Sequence, residues 1–184
     1  MRIVVSEFVT LDGVMEAPET WVFQFAEKEI DTFKLDEVLS ADALLLGAVT
    51  YQIFAESWPS RSDPDGFADK MNSMPKYVVS TTSEKLAWKN SHQVNGTIAE
   101  EIAKLKQQPG QTILVAGSGV LVQALAQHDL VDEYRFLVYP IVLGQGKRLF
   151  KDAVTARLKL IETKAFDTGV VLLRYEPLSK KRKR

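Results

Sequence analysis

The sequence has no cysteine among its 184 residues and only two histidines, His92 and His128, far apart. Disulfides, thiolate catalysis and cysteine-ligated metal are thereby excluded, and no histidine metal cluster is expected within one chain. Charge of one sign is missing too. Lys and Arg number 23 against 24 Asp and Glu, a net charge of -1, so no global field draws in nucleic acid or a membrane surface. No apolar run approaches the roughly 20 residues of a membrane span. Met1-Arg2 leads straight into Ile3-Val4-Val5-Ser6-Glu7, without the apolar core and cleavage site of a signal peptide. The expectation is a cytoplasmic protein with neither nucleic acid nor membrane as partner. The one charge run, Ser179-Lys180-Lys181-Arg182-Lys183-Arg184, reads as a basic flexible tail (179–184) rather than a targeting or phosphate-contacting arm.

What is present fits one globular domain over residues 1–178: 46% of residues are hydrophobic and 26% charged. Strand and helix patterns alternate from the start. Strands are expected over 2–9, 43–46, 77–79, from Ile113, and over 133–139. Helices are expected over 25–39, 50–56, 66–74, 97–107 and 120–127. Thr97 with Glu100 three residues on has capping-box spacing, and Pro109-Gly110 stops that helix. The stretch before Thr97 carries little signal. Beyond residue 133 the pattern is purely β, and residues 158–166 and 170–176 flank Asp167-Thr168-Gly169, a hairpin signal. The sum is an α/β fold with a mixed sheet.

Residues 113–150 are the most informative. Ile113-Leu114-Val115 is a buried-strand run that breaks at Ala116-Gly117-Ser118-Gly119 and resumes as a helix with Val120, Leu121, Ala124 and Leu125 on one face. Strand, small-residue turn and helix start together aim backbone N–H groups at an anion such as a nucleotide phosphate. Two further strand ends carry ligand-type groups, Gly47 to Tyr51 and Ser80 to Thr82. All three occupy the carboxyl edge of parallel strands, where ligands of open α/β sheets lie. Glycine lets a phosphate approach, and the hydroxyls of Thr50, Ser80, Thr81 and Ser118 can donate to phosphate or ribose. Neither a GxGxxG fingerprint nor a Walker-A run occurs.

From Ser6-Glu7-Phe8-Val9-Thr10-Leu11-Asp12-Gly13 to the final hairpin, the chain resembles the reductase domain of the bacterial bifunctional deaminase–reductase of riboflavin synthesis. It also resembles the small stand-alone proteins related to that domain. The wider group is similar to dihydrofolate reductase. The most specific segments are Ala116-Gly117-Ser118-Gly119, Leu130-Val131-Asp132-Glu133 and Pro140-Ile141-Val142-Leu143-Gly144-Gln145-Gly146. Leu11-Asp12-Gly13-Val14-Met15-Glu16-Ala17-Pro18 with Trp21 looks like the stand-alone branch. There is no room for a deaminase domain and no zinc-binding His/Cys signature.

The resemblance implies a dihydrofolate reductase-like α/β fold: a mixed, mainly parallel twisted sheet flanked by helices, with a C-terminal antiparallel hairpin. It implies reduced NADP across the strand ends, a small-molecule substrate and a homodimer. Nicotinamide would lie near Val9, Thr10, Asp12 and Gly13. The diphosphate would meet Gly117, Ser118, Gly119 and Val120, in the turn that Ala116 opens, with Gly47 and Thr50 opposite. Ser80 and Thr81 would approach the adenosine ribose. Substrate would sit between the Asp12 loop, Trp21 and the helix bearing Tyr51 and Phe54. One departure matters: Ala48 stands where the family commonly has an Arg for the 2'-phosphate of NADP. The guanidinium fork is missing, so NAD stays open as an alternative unless Lys85 or a neighbour compensates.

Asp12 is the leading catalytic carboxylate, with a turn-forming role as the equal alternative. Glu27, Glu29 and Asp31 offer no clear match to the acid that dihydrofolate reductase carries on its first long helix. Trp21 reads as substrate-stacking or rim packing, Trp58 and Trp88 as packing, and His128 as a helix-end residue. Adjacent residues on a strand face opposite ways, so Asp132 and Glu133 share no site; Glu133 is left for a subunit contact. Gly144-Gln145-Gly146-Lys147-Arg148 reads as a turn. Arg61 and Lys76 are the only cations that can be named for a substrate phosphate. The reading is an NAD(P)H-dependent oxidoreductase passing a hydride to a small heterocyclic (pyrimidine- or pterin-like) or carbonyl substrate. The alternatives are a non-catalytic nucleotide-binding sensor and a dimeric scaffold associating through residues 136–139.

Overall fold

The computed structural model describes residues 1–82, 85–150 and 155–178; the basic run at 179–184 lies outside the described residues. The strands are β1 (Arg2–Thr10), β2 (Ala43–Gly47), β3 (Lys76–Val79), β4 (Ser91–Val94), β5 (Thr112–Val115), β6 (Glu133–Tyr139), β7 (Leu158–Ala165) and β8 (Val171–Pro177). The helices are α1 (Lys28–Ser40), α2 (Ala48–Ser57), α3 (Phe67–Ser73), α4 (Ile98–Lys106) and α5 (Gly119–Gln127). One eight-stranded sheet runs in the order β4-β3-β2-β5-β1-β6-β8-β7. From β4 to β6 every pairing is parallel; β8 and β7 join antiparallel. That is the expected mixed, mainly parallel architecture.

Period-two alternation explains the layers. On β1, Ile3, Val5 and Val9 face α4 and α5, packing with Ile102, Leu105, Leu121, Val122 and Leu125. Val4 on the opposite face joins Leu44, Leu46, Tyr51, Met71 and Trp88. β2 is buried at all five residues, as an apolar central strand covered on both faces must be. The Thr97 hydroxyl accepts from the Glu100 N–H and caps α4.

One expectation needs correction. β4 carried no strand signal because Ser91-His92-Gln93-Val94 is mostly polar; it pairs at the sheet edge, where a strand need not be apolar. Residues 158–166 were expected as one arm of the hairpin, and β7 forms it exposed at every residue after Leu158, since it is the other edge. Its register also shifts between Leu160 and Glu162.

The face of β1 opposite α5 carries charge. Glu37 of α1 is 3% exposed. It accepts from Ser6 Oγ at 2.8 Å and Arg135 Nη1 at 3.2 Å, and it pairs with Lys34. Arg135 continues to Glu133 at 2.7 Å, where Arg174 arrives at 2.8 Å and Arg2 at 3.3 Å. Glu133 is therefore neutralised inside its own chain, not reserved for a subunit contact. Among the described residues no helix is long and apolar enough to cross a membrane.

Candidate functional site

β5 sits between β2 and β1, so the carboxyl ends of three neighbouring strands come together there. Val5 pairs with Val115 and Leu45 with Val115. Two residues further along, Gly47, Gly117 and Glu7 therefore form one row. The Gly47 N–H donates to the Gly117 carbonyl at 3.2 Å, and the Gly117 N–H donates to Glu7 Oε1 at 2.7 Å. α2 starts right after Gly47 and α5 right after Ser118, and neither first turn has a side-chain cap. Two sets of free helix-start amides, each at the positive end of a dipole, are thus held side by side.

The seam tolerates nothing larger than glycine. A Cβ on Gly47 would collide with Ser118 Oγ. Gly117 has φ +87°, and a Cβ there would stand 2.8 Å from Thr50 Oγ1. Its peptide bond to Ser118 is cis. Thr50 and Ser118 thus join Gly47 and Gly117 at one place, as the sequence implied. One detail differs: the Gly117 N–H is spent on Glu7 and Gly117 is buried, so it is no free phosphate donor. The open part of the bend is the start of α5, where Val120 is 73% exposed. Met15 lies over Gly119, with its Sδ 2.7 Å from where a Cβ would stand. Ser80 and Thr81 follow β3, the strand next to β2; the Ser80 and Thr82 hydroxyls lie 3.1 Å apart.

The Asp12 loop is a different structure. Asp12 Oδ1 accepts from Thr10 Oγ1 at 2.6 Å and from the Leu143 N–H at 3.2 Å, while Oδ2 accepts from the Gly144 N–H at 2.9 Å. These bonds, the Thr10 hydroxyl first, hold its carboxyl below the ordinary range. The Gly13 N–H donates to the Thr10 carbonyl, and Val14 bridges to Arg148. The Asp12 and Gly144–Gly146 motifs are therefore two halves of one closure, next to a hollow of about 400 Å³ that includes Val14, Glu16 and Leu143. This geometry gives Asp12 the anchoring role and leaves it ill-suited to donate a proton near neutrality. Glu27 accepts from the Thr168 N–H and hydroxyl, and Glu29 pairs with Lys164.

Several aromatic and cationic candidates go elsewhere. Trp21 is 2% exposed, edge-on to Tyr139 and bonded to the Glu16 carbonyl, so it has no open face for a substrate. The Tyr51 hydroxyl accepts from the Trp88 N–H, and Phe54 packs edge-on to Trp58. The exposed large apolar residues of α2 are Val49 and Ile53. Lys76 opens β3 at the opposite edge of the sheet and donates to the Asn72 and Lys89 carbonyls; Arg61 lies over the Trp58 ring. Both cations named for a substrate phosphate are thus engaged locally, Lys76 by two carbonyls and Arg61 by a ring.

Sequence reasoning missed Glu7. It is buried, and loss of water pushes its carboxyl up to about 8 against the pull of the Gly117 amide and Lys34. A lone acid in Ile3-Val4-Val5-Ser6-Glu7-Phe8-Val9 was the available signal.

Comparison with known proteins shows the family and the fold. The family model for the RibD C-terminal domain matches residues 2–172. The uncharacterized protein YyaP of Bacillus subtilis (strain 168) is 33% identical over 178 residues, 95% of this chain and 94% of that protein. A solved protein of Shewanella sp. PV-4 named for riboflavin biosynthesis superposes with a TM-score of 0.80 at 21% identity, covering 97% of this chain and all of that one. Dihydrofolate reductase from Enterococcus faecalis, solved with NADP(H), superposes with a TM-score of 0.63 at 12% identity over 97% of both chains.

Proposed function

The chain belongs to the RibD C-terminal domain family, and on that premise we propose that it is a reductase using a reduced nicotinamide dinucleotide. The observation that carries the reading is the seam at Gly47 and Gly117, where two uncapped helix starts meet over glycines whose Cβ positions are blocked. A diphosphate suits that seam because its charge meets backbone N–H groups and two dipole ends.

The bound dinucleotide would supply a hydride to an sp² carbon of a small heterocyclic or carbonyl substrate. The chain's own residues do the rest. The first-turn amides of α2 and of Gly119 and Val120 hold the diphosphate, with Ser118 and Thr50 alongside. Ser80 and Thr81 line the adenosine end. The β1 exit at Val9 and Thr10 places the nicotinamide. Asp12, bonded across to Leu143 and Gly144, keeps the loop shut over the reacting face and excludes bulk water. The accompanying proton comes from water, since Asp12 is held ionised. With Ala48 opening α2 in place of an arginine, NADPH and NADH serve within about tenfold of one another.

The engagement of Asp12, Glu27 and Glu29 in structural bonds favours a second reading, a nucleotide-binding protein without turnover. Mixing the protein with NADPH or NADH and a panel of pterins, ribosylamino-pyrimidines and quinones separates the two. Cofactor oxidation with at least one acceptor supports the reductase. Tight binding with no oxidation supports the sensor, and no binding of either dinucleotide removes both.

A further inference from the structure

Glu7 lies directly beneath the bend that joins the two helix starts. Its side chain is 7% exposed and its Oε1 holds the Gly117 N–H at 2.7 Å, one residue before the Ser118 cap of α5. What faces it decides its state. From α1, Lys34 and Glu37 act on it, but Lys34 is already bonded to Glu37 and to Ser6 on the other face of β1. From β6 its register partner is Phe136, while Arg135 is turned to Glu37 and Glu133. α5 reads Gly-Val-Leu-Val-Gln-Ala-Leu-Ala-Gln, with no ionisable side chain at all. From α2 the Thr50 hydroxyl lies over Gly117. Among the described residues no cation is paired with Glu7, and burial raises its carboxyl to about 8.

An ionised carboxylate at this point sits beneath the bend, one residue before the Ser118 N-cap of the helix whose first-turn amides would receive a diphosphate. Like charges in so small a space oppose one another, and each favours the neutral form of the other. We propose that Glu7 makes anion binding at this seam proton-linked: the cradle accepts a dinucleotide diphosphate when Glu7 is protonated and resists it when Glu7 is ionised. The proposal rests on the dinucleotide reading above and assigns a binding role to a residue outside the strand-end motifs.

Its test is a binding measurement on the full chain with NADH and NADPH, whose phosphates do not titrate above about pH 7. Affinity for the wild-type protein is expected to be flat below pH 7 and to fall by a factor approaching ten per unit above pH 8. Glu7→Gln keeps an oxygen for the Gly117 N–H but cannot ionise, so its affinity should stay level across the range. Calorimetry of the unmodified protein at pH 8.5, in two buffers of different ionisation enthalpy, should show uptake of most of one proton on binding. That measurement needs no variant. Zero uptake, or parallel pH profiles for wild type and Glu7→Gln, overturns the proposal while leaving the dinucleotide site standing. Absence of binding at every pH overturns both.

Discussion

Glu7 and Glu37 are two buried carboxyl groups on opposite faces of one strand, and they end in opposite states. Burial would raise Glu37 as it raises Glu7. For Glu37, Lys34, Ser6 and Arg135 outweigh that burial and bring the carboxyl below its ordinary value. Glu7 has one amide and no committed cation, and it stays high. The α1 face of the sheet is a closed ion network that serves stability; the α5 face leaves one titratable group uncompensated beside the helix starts. Burial alone does not set a charge state, whereas burial minus the partners supplied does.

The largest effect is expected from Glu37→Ala. It leaves Lys34 and Arg135 facing each other without their shared partner and should cost about 3–5 kcal/mol in a denaturant titration. A loss under about 1 kcal/mol would mean that compensation is not what separates the two carboxyls.

Glu7→Gln sharpens the comparison from the other side. The folded-state value of Glu7 lies above the unfolded one, so its contribution is fully present below pH 4.5 and is lost as pH climbs to about 8. Relative to wild type, the variant should gain roughly 1.4 kcal/mol per pH unit across that window, read from denaturation midpoints. Glu37 runs the opposite way: its value is lowered, so its contribution is lost as pH falls below 4.5. Parallel stability profiles for wild type and Glu7→Gln would break the contrast.

Gly117→Val disturbs the seam through the backbone that closes over Glu7, leaving both carboxyl side chains in place. A β-branched residue at φ +87° against Thr50 should cost about 1–3 kcal/mol and weaken dinucleotide affinity by roughly tenfold or more. An unchanged dissociation constant would remove the seam as the phosphate site. The smallest effect is expected from Asp12→Asn, which replaces one acceptor by a donor facing the Gly144 N–H. Turnover should slow more than cofactor binding weakens, and equal turnover would mean that the loop Asp12 anchors does not cover the reacting face.

Much of the fold was legible because its signals are local. β6 matches its expected bounds, α4 and α5 differ from theirs by a residue or two, and the Asp167-Thr168-Gly169 hairpin is where the pattern put it. The edge strands were harder, since β4 buries only Val94 and β7 is exposed beyond Leu158, which leaves no apolar rhythm. α1 starts at Lys28 because two short 3-10 turns, Pro18–Thr20 and Val22–Phe25, take up the residues before it. At the site, the glycine and hydroxyl positions were readable from turn chemistry. The roles of Trp21, Tyr51 and Glu7 were not, because whether a ring or a carboxyl is enclosed depends on strands far away in sequence. Tyr139 covers Trp21, Trp88 occupies the Tyr51 hydroxyl, and Gly117 closes over Glu7 from 110 residues away.

The place of β5 has a consequence for how the chain comes to be folded. β1 and β2 never touch as a pair; β5 lies between them, with Arg2 meeting Thr112 and Ala43 meeting Ile113. A chain emerging from the ribosome can assemble β2, β3 and β4 early, but its first strand has no neighbour until residue 112 has been made. Such long-range closure is slow. Nascent fragments shorter than this should remain protease-sensitive at their leading end, and protection there should appear in step with the arrival of the central strand.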